Sequence, residues 1–296
     1  MMQRMRPPVI WESQRLRCLL FTPGSEPRKL RRVDDFGADG VVLDLEDAVA
    51  EAEKTEARAL VRAALAGLRS TPVVAVRVNG ADTNRFADDV RSVVTPDLDC
   101  VMVPKVEDAQ LLDQLDDLLA ELEAEAGLER GTIRVLPTLE TAAGVANAET
   151  IATGGGGRVV TLLFGIVDYS RDLDIEVGAD AHELLYPRSR VAIAARAAGL
   201  RAPLDGPWLD LEDLDGLAEE TRRVRALGFG GRIAIYPGQV DVIQRTCSEL
   251  PESTRERLRR VVEEFERAES EGIASIQVDG RFVDYPVYVH AKQRLA

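Results

Sequence analysis

Polar and charged side chains follow short apolar runs in this sequence, at the point where each run ends. Asp44 and Glu46 end the run VVLDLE, Arg77 ends VVAVR, and Glu140 ends VLPTLE. Side chains two residues apart in a strand share a face, so Asp44, Glu46 and the apolar Val42 are expected to point the same way. Carboxylates can bind a metal ion, and a bound metal ion or an arginine side chain can stabilise a developing negative charge.

Glu140 and Asp168 are the two carboxylates best placed to hold a divalent cation. Each follows an apolar run, and the two runs are consecutive along the chain. Mg²⁺ prefers oxygen ligands, and it usually takes one or two protein carboxylates and leaves the other positions to water and substrate. We therefore predict a Mg²⁺ site at Glu140 and Asp168, with Mn²⁺ as the alternative ion. Zn²⁺ is disfavoured because the chain has only two histidines and no cysteine cluster.

Two cations and two further carboxylates also follow apolar runs. The charge of Arg77 inside VAVRV must be paired or face a cavity, because an isolated buried charge is costly. Lys105 ends CVMVPK and is one of four lysines in the chain. Asp47 and Asp108 precede predicted helices, and we interpret both as N-caps, since aspartate accepts hydrogen bonds from the free N–H groups of a first helical turn.

Eight apolar runs must position these side chains, and they alternate with amphipathic segments. The runs end at Phe21, Glu46, Val78, Lys105, Glu140, Gly165, Asp205 and Tyr236. Repeated strand–helix units imply a parallel sheet, and eight units favour a (β/α)₈ TIM barrel with its active site at the carboxyl ends of the strands. The alternative, an open doubly wound sheet, is disfavoured because no GxGxxG follows the first run. We predict a catalytic barrel over residues 1–250 and a C-terminal helical extension over residues 251–296.

The composition of the chain argues against two classes of binding partner. A net charge of −14 over 296 residues argues against a general binder of nucleic acid or of anionic membranes. Cys18, Cys100 and Cys247 lie far apart, which is typical of a reduced, cytoplasmic protein. We recognise no signal peptide, and the longest apolar stretch, residues 159–167, is far shorter than the ~20 residues that span a bilayer.

Eight segments together resemble one enzyme family. They are, in order, FTPGS, VLDLEDAV, VRVNGADT, MVPKVED, LETAAG, FGIVDY, the helix over residues 188–196, and DGRFVD. Their order and spacing over residues 17–295 are similar to the citrate lyase β-subunit-like branch of the HpcH/HpaI aldolase superfamily, which includes malyl-CoA and citramalyl-CoA lyases. The resemblance implies a (β/α)₈ barrel that forms homotrimers or hexamers. It also implies a Mg²⁺-dependent retro-Claisen cleavage of a small 3-hydroxyacyl-CoA thioester to an acyl-CoA and a 2-oxo acid.

The resemblance also implies roles at matching positions. Glu140 and Asp168 look like the family's Mg²⁺ ligands, and Arg77 resembles the arginine that stabilises the thioester enolate. Asp284, in GRFVD, resembles the acid/base aspartate that the C-terminal segment delivers into a neighbouring subunit's site. The remaining predicted site residues are Asp44 and Glu46, which resemble partners of Arg77 and metal-bound water, Phe21 and Arg32, which resemble CoA contacts, and Lys105, Tyr236 and Pro237, which we assign to substrate binding.

The sequence departs from the family pattern at Tyr236, and it leaves alternatives for the basic run over residues 28–32 and for the reaction. The family usually has histidine where this chain has Tyr236, in IAIYPGQ, so substrate contacts there are expected to differ. The basic run over residues 28–32 is either an entrance for the CoA phosphates or a solvated helix face. In place of a CoA-ester lyase, the chain could be a malyl-CoA thioesterase, or a citrate lyase β subunit that acts on an acyl-carrier-protein thioester.

Overall fold

Eight parallel strands close into a barrel in the computed structural model, which describes residues 9–11 and 13–295. Each strand pairs with its neighbours in sequence, and the last pairs with the first. The strands are β1 (Cys18–Pro23), β2 (Gly40–Asp44), β3 (Val73–Arg77), β4 (Cys100–Val103), β5 (Arg134–Leu139), β6 (Leu163–Phe164), β7 (Leu204–Asp205) and β8 (Gly231–Ala234). The predicted (β/α)₈ class is confirmed, and an open doubly wound sheet is excluded by the β1–β8 pairing.

Helices connect the strands around the outside of the barrel. They are α1 (Pro27–Leu30), α2 (Lys54–Leu65), α3 (Phe86–Val93), α4 (Ala109–Ala126), α5 (Ala142–Ala146), α6 (Ala148–Thr153), α7 (Ile166–Asp172), α8 (Leu185–Ala197), α9 (Leu214–Ala226) and α10 (Gly238–Ser248). Asp108 caps α4, with its side chain accepting a hydrogen bond from the Leu111 N–H at 3.1 Å. Asp47 caps no helix, because the turn after it leads into a short 3₁₀ helix, Glu51–Glu53. The N-cap interpretation is therefore right for Asp108 and wrong for Asp47.

The two-residue period of the strands separates two apolar layers. Inward-facing side chains fill the barrel, among them Val42, Val73, Ala75, Met102 and Leu136. The alternate side chains of the same strands pack outward, against the helices. Complete burial of a side chain of this size contributes about 1.5–3 kcal/mol to stability, so the alternation fixes which face of each strand points inward. Arg77 and Glu140, which follow inward-facing residues at this spacing, are therefore directed towards the barrel axis.

The chain divides into two compact units, one ending at Cys247 and the other beginning at Ser248. The second unit contains α11 (Glu252–Ser270), a hairpin of β9 (Ile276–Val278) and β10 (Arg281–Val283), and α12 (Tyr285–Leu295). Its core is built around Phe265, whose ring stacks on Tyr288 with 4.8 Å between centroids. Within the described part of the chain, no helix is both long and apolar enough to cross a membrane.

Candidate active site

A cavity of about 220 Å³ lies at the carboxyl end of the barrel strands. Arg77, Glu140 and Asp168 line it together, and Phe21 and Asp47 contribute to its wall. Arg77 ends β3, Glu140 directly follows β5, and Asp168 lies in the first turn of α7, just after β6. The closed barrel therefore brings a guanidinium and two carboxylates, which are far apart in sequence, to one opening.

Arg77 is fixed by carboxylates on the adjoining strand. Its Nε and one terminal nitrogen donate to the two oxygens of Asp44, both at 2.7 Å, and its other terminal nitrogen lies 3.0 Å from Glu46. The guanidinium also lies over the Phe21 ring, 5.0 Å from its centroid. Burial lowers the pKa of Arg77, but the charges of Asp44 and Glu46 outweigh burial and raise it. Arg77 is thus a permanently charged, oriented donor at the cavity wall.

Lys105 connects the carboxylates of two strands. Its backbone N–H donates to Glu140 Oε1 at 2.9 Å, and its Nζ lies 2.5 Å from Glu46 Oε1. These contacts accompany a left-handed backbone, with φ = 50° at Lys105. A non-glycine residue in this region costs on the order of 1–3 kcal/mol and persists where the surroundings determine it. The two hydrogen bonds supply that constraint, and the backbone bond joins the strained turn to Glu140, which lines the cavity.

The pKa of the Glu140 carboxyl group lies well above its ordinary value. Burial, followed by the negative charge of Glu46, raises its pKa to about 8, with Asp168 adding to the rise and Arg77 opposing it. Burial also raises the pKa of Glu46, although Arg77 and Lys105 oppose that shift. A carboxylate that is hard to ionise beside other carboxylates would be stabilised in its charged form by a bound cation.

The donor set fits a hard divalent ion. Glu140 and Asp168 offer carboxylate oxygens to one cavity. The described residues include no group of three or more His, Cys, Asp or Glu side chains that could hold a metal ion. Mg²⁺ does not require such an all-protein cage, because it retains several waters and takes one or two carboxylates. The residues present are therefore compatible with Mg²⁺, and they lack the nitrogen and sulfur donors that Zn²⁺ prefers.

A second cavity, of about 400 Å³, adjoins the first through Phe21 and Ile235, which line both. Four of the predicted CoA and substrate contacts line this second cavity, and three of its lining side chains are basic. The residues of the second cavity that bear on substrate binding are Phe21, Arg28, Lys29, Arg32, Tyr236 and Pro237. The basic run over residues 28–32 therefore borders a concave surface, as an entrance for phosphates requires, whereas Lys105 lies apart with Glu46 and Glu140.

Asp284 lies in the C-terminal unit, between β10 and α12. Its Oδ1 accepts a hydrogen bond from the Val287 N–H at 3.3 Å, in the first turn of α12. The side chain is partly exposed. Its predicted role involves a second subunit.

Among the cavity residues that were absent from the predicted set, Thr138, Gly165 and Asp47 bear most directly on the charged side chains. Thr138 lies two residues before Glu140 on the same face of β5, a relationship that the strand period already contains. Gly165 is required by space, because a Cβ atom there would lie 2.4 Å from Glu140 Oε2. Asp47 lies 3.9 Å from Arg77, in the position assigned from sequence to a helix cap. The local sequence predicts neither the contact of Gly165 with Glu140 nor the path of the chain at Asp47.

Comparison with known proteins identifies the family of this chain. Residues 17–237 match the family model described as HpcH/HpaI aldolase/citrate lyase. The chain belongs to this family. Aldolases and citrate lyases break carbon–carbon bonds, so the predictions of the family and of a carbon–carbon lyase are both confirmed.

Individual relatives of this citrate lyase-family chain cover nearly its whole length. Citrate lyase subunit beta of Leuconostoc mesenteroides subsp. cremoris is 34% identical over 94% of the chain and 91% of that protein. A (3S)-malyl-CoA thioesterase of Cereibacter sphaeroides is also 34% identical, over 95% of the chain and 93% of that protein. Among solved structures, CitE from Mycobacterium tuberculosis in complex with magnesium, acetoacetate and coenzyme A superposes with a TM-score of 0.73, at 29% identity, covering 94% of this chain and 96% of that one.

Proposed function

We propose that this enzyme is a Mg²⁺-dependent lyase that cleaves a 3-hydroxyacyl-CoA thioester of a small dicarboxylic hydroxy acid. The products would be an acyl-CoA and a 2-oxo acid. The observation that carries the proposal is the presence of Glu140, Asp168 and Arg77 in one cavity, next to a second cavity with a basic wall. The substrate class is suggested by the relatives, whose names include a malyl-CoA enzyme and a structure that contains magnesium and coenzyme A.

Glu140 and Asp168 would hold the cation. Bound Mg²⁺ would supply a Lewis acid for the carboxylate and hydroxyl oxygens of the 2-oxo acid half of the substrate. Their shared cavity, of about 220 Å³, would hold the short acid. The longer CoA portion would extend into the adjoining cavity at Arg32.

Arg77 would stabilise the charge that bond cleavage produces. In a retro-Claisen reaction the 3-hydroxyl gives its proton to a water molecule, the bond between C2 and C3 of the acyl chain breaks, and the electron pair passes to the thioester as an enolate. Asp44 and Glu46 hold the guanidinium in place before the reaction begins. A donor already oriented towards the developing charge needs no reorganisation, and such groups often supply the largest single part of catalysis.

The basic wall would bind the phosphates of CoA. Arg28, Lys29 and Arg32 line the second cavity, and the chain as a whole carries a net charge of −14. An anionic substrate approaching such a chain needs a local positive potential. Tyr236, in the same wall, offers a hydroxyl and a ring in place of the imidazole that is usual in the family.

Product analysis tests this function. The purified protein with Mg²⁺ would be incubated with malyl-CoA and with citramalyl-CoA, and the acyl products and free acids separated by chromatography. We expect acetyl-CoA together with glyoxylate or pyruvate in equal amounts, and no turnover in EDTA. Free CoA and malate without glyoxylate would instead establish a thioesterase. Turnover only of an acyl-carrier-protein thioester would establish a citrate lyase β subunit.

We also propose that Asp284 protonates the enolate carbon in a neighbouring subunit of a homotrimer or hexamer. The carboxyl group of Asp284 is partly exposed at the start of α12, so a substrate bound to a neighbouring subunit could reach it as a positioned acid. Complementation tests the inter-subunit part. Arg77→Ala and Asp284→Ala should each be inactive alone, and co-expressed mixtures should regain part of the activity. If mixtures stay inactive, or if Asp284→Ala retains wild-type kcat, the proposed role is wrong.

A further inference from the structure

The hydroxyl of Thr138 is a buried polar group without a hydrogen-bond partner among the residues that the structure describes. Thr138 is 2% exposed, and it lines the central cavity together with Glu140. Burying a hydroxyl without a partner is unfavourable, so native proteins rarely leave one unpaired. The position of this one, on the wall of a cavity, indicates a partner that enters the cavity from outside.

The neighbours of Thr138 are a backbone group that pairs with its carbonyl and apolar side chains of the adjoining strands. Thr138 lies on the inward face of β5, and its C=O accepts a hydrogen bond from the Val106 N–H at 3.1 Å. Its neighbour on β6 is Leu163, and Leu163 and Ile233 line the same cavity. The hydroxyl is therefore a polar atom in a mainly apolar part of the barrel interior, with Glu140 one strand period away.

Other buried threonines show that this is not a general feature of the fold. Thr161 Oγ1 donates to the carbonyl oxygens of Arg201 and Ala202, at 3.0 Å each. Thr221 Oγ1 donates to the Leu217 carbonyl within α9, at 2.6 Å. Both side chains are completely buried, and both use their hydroxyls to satisfy the backbone. Thr138 differs in facing the cavity.

We propose that Thr138 is a positioning residue whose hydroxyl donates a hydrogen bond to the carboxylate of the 2-oxo acid half of the substrate. This inference rests on the proposed function, which supplies a small carboxylate as the ligand. Glu140 and Asp168 can only accept hydrogen bonds when ionised, and Asp44 and Glu46 hold the guanidinium of Arg77 in place for the thioester enolate. Thr138 provides a neutral donor near the carboxylates, and a donor of this kind selects for a ligand oxygen against an apolar group.

Two matched substitutions separate binding from stability. Thr138→Val removes the hydroxyl and preserves the shape of the side chain, and Thr161→Val does the same where the hydroxyl is satisfied by backbone. Glyoxylate and pyruvate binding in the presence of Mg²⁺ would be measured by calorimetry, and Tm by thermal unfolding. We expect Thr138→Val to weaken binding about ten-fold, as loss of a hydrogen bond to a charged group predicts, with no fall in Tm. Thr161→Val should lower Tm and leave the dissociation constant unchanged.

Thr138→Ser provides the rescue. It retains the hydroxyl, so we expect its dissociation constant to stay within about two-fold of wild type. In turnover assays Thr138→Val should raise KM more than it lowers kcat, because the hydroxyl positions the acid and does not stabilise the enolate.

The results also separate this inference from the proposed function. Binding by Thr138→Val equal to that of wild type, a fall in Tm like that of Thr161→Val, or failure of the wild-type protein to bind either 2-oxo acid would overturn the role of Thr138. If the wild type binds the acids through Thr138 but cleaves no CoA thioester, the proposed lyase reaction fails and the positioning role stands.

Discussion

Glu140 lies against Gly165 in a contact that leaves no room for a larger residue. A Cβ atom at Gly165 would lie 2.4 Å from Oε2 and 2.5 Å from Cβ of Glu140. Gly165 is also the residue before α7, the helix whose first turn carries Asp168. The absence of a side chain at Gly165 is therefore what allows the two carboxylates to share one cavity.

Gly165→Ala is predicted to displace the Glu140 side chain. The backbone of Gly165 has a negative φ, so alanine is not disfavoured by conformation and the effect is steric. We expect at least a ten-fold weaker Mg²⁺ affinity, measured by titration calorimetry, because ligand displacement costs metal affinity on the order of 10–100-fold. Gly178→Ala is the control, since a Cβ atom there would meet nothing closer than 3.5 Å. Equal Mg²⁺ affinities for the two variants would show that the Gly165 contact does not position Glu140.

Asp44 has a structural counterpart in Glu123, which lies outside the central cavity. Asp44 accepts two hydrogen bonds from Arg77 and two from backbone N–H groups. Glu123 likewise accepts two from Arg158 and two from backbone N–H groups. Both carboxylates are completely buried, but neither Glu123 nor Arg158 lines the central cavity.

Asp44→Asn and Glu123→Gln should therefore differ in activity and resemble each other in stability. Each change removes a charge from a buried ion pair, which typically costs about 3–5 kcal/mol of unfolding free energy. We expect only Asp44→Asn to reduce kcat, by about 100-fold, because Arg77 loses its orientation towards the enolate. Denaturant unfolding and steady-state kinetics on both variants check this. A kcat near wild type in Asp44→Asn would show that the ion pair is structural alone.

The raised pKa of Glu140 predicts a pH-dependent stability in metal-free protein. Burial, and then the charge of Glu46, raises that pKa from 4.5 to about 8. Between these two values the folded chain holds a proton that the unfolded chain has released. The free energy of unfolding must therefore fall as pH rises through this range, and Glu140→Gln should remove that contribution.

Thermal unfolding in EDTA measures the difference. At pH 9, Glu140→Gln should have a Tm at least ~2 °C above wild type, a shift that corresponds to about 1 kcal/mol in a domain of this size. At pH 5 the two should nearly coincide. Mg²⁺ added at pH 9 should raise the Tm of the wild type and leave the variant unchanged. Parallel Tm curves across the whole range would contradict the assigned environment of Glu140.

Arg32 and Arg31 offer a matched pair at the proposed CoA entrance. They are adjacent in sequence, but Arg32 lines the second cavity and Arg31 does not. Arg32→Ala should raise KM for the CoA thioester about five-fold at low ionic strength, and less as salt screens the phosphate charge. Arg31→Ala should stay within about two-fold of wild type. A change in KM of less than about two-fold in both variants would assign residues 28–32 to a solvated helix face.

Much of the fold could be predicted from the sequence, because eight apolar runs and the two-residue period determine both the strand count and the inward face. The apolar runs in the sequence are longer than the strands that they form. β2 ends at Asp44 and β8 at Ala234, whereas the apolar pattern extends to Glu46 and Tyr236, because the loops that line the cavities are apolar as well.

The finer features of the site depend on distances that local sequence does not contain. Asp47 has the sequence context of a helix N-cap. The helix that follows begins only after an intervening turn, so Asp47 does not cap it and lines the cavity instead. The need for glycine at residue 165 depends on a side chain 25 positions earlier, brought close only when β5 and β6 pair. Thr138 could have been predicted as a cavity residue, because it shares a face with Glu140. The absence of a hydrogen-bond partner for its hydroxyl could not have been predicted.

The most direct test of the account is a crystal structure of the enzyme grown with Mg²⁺ and glyoxylate. We predict one cation bound by an oxygen of Glu140 and an oxygen of Asp168, each at about 2.0–2.1 Å, with glyoxylate and water completing an octahedron. A cation bound elsewhere in the chain, with Glu140 and Asp168 both directed away from it, would contradict the central claim.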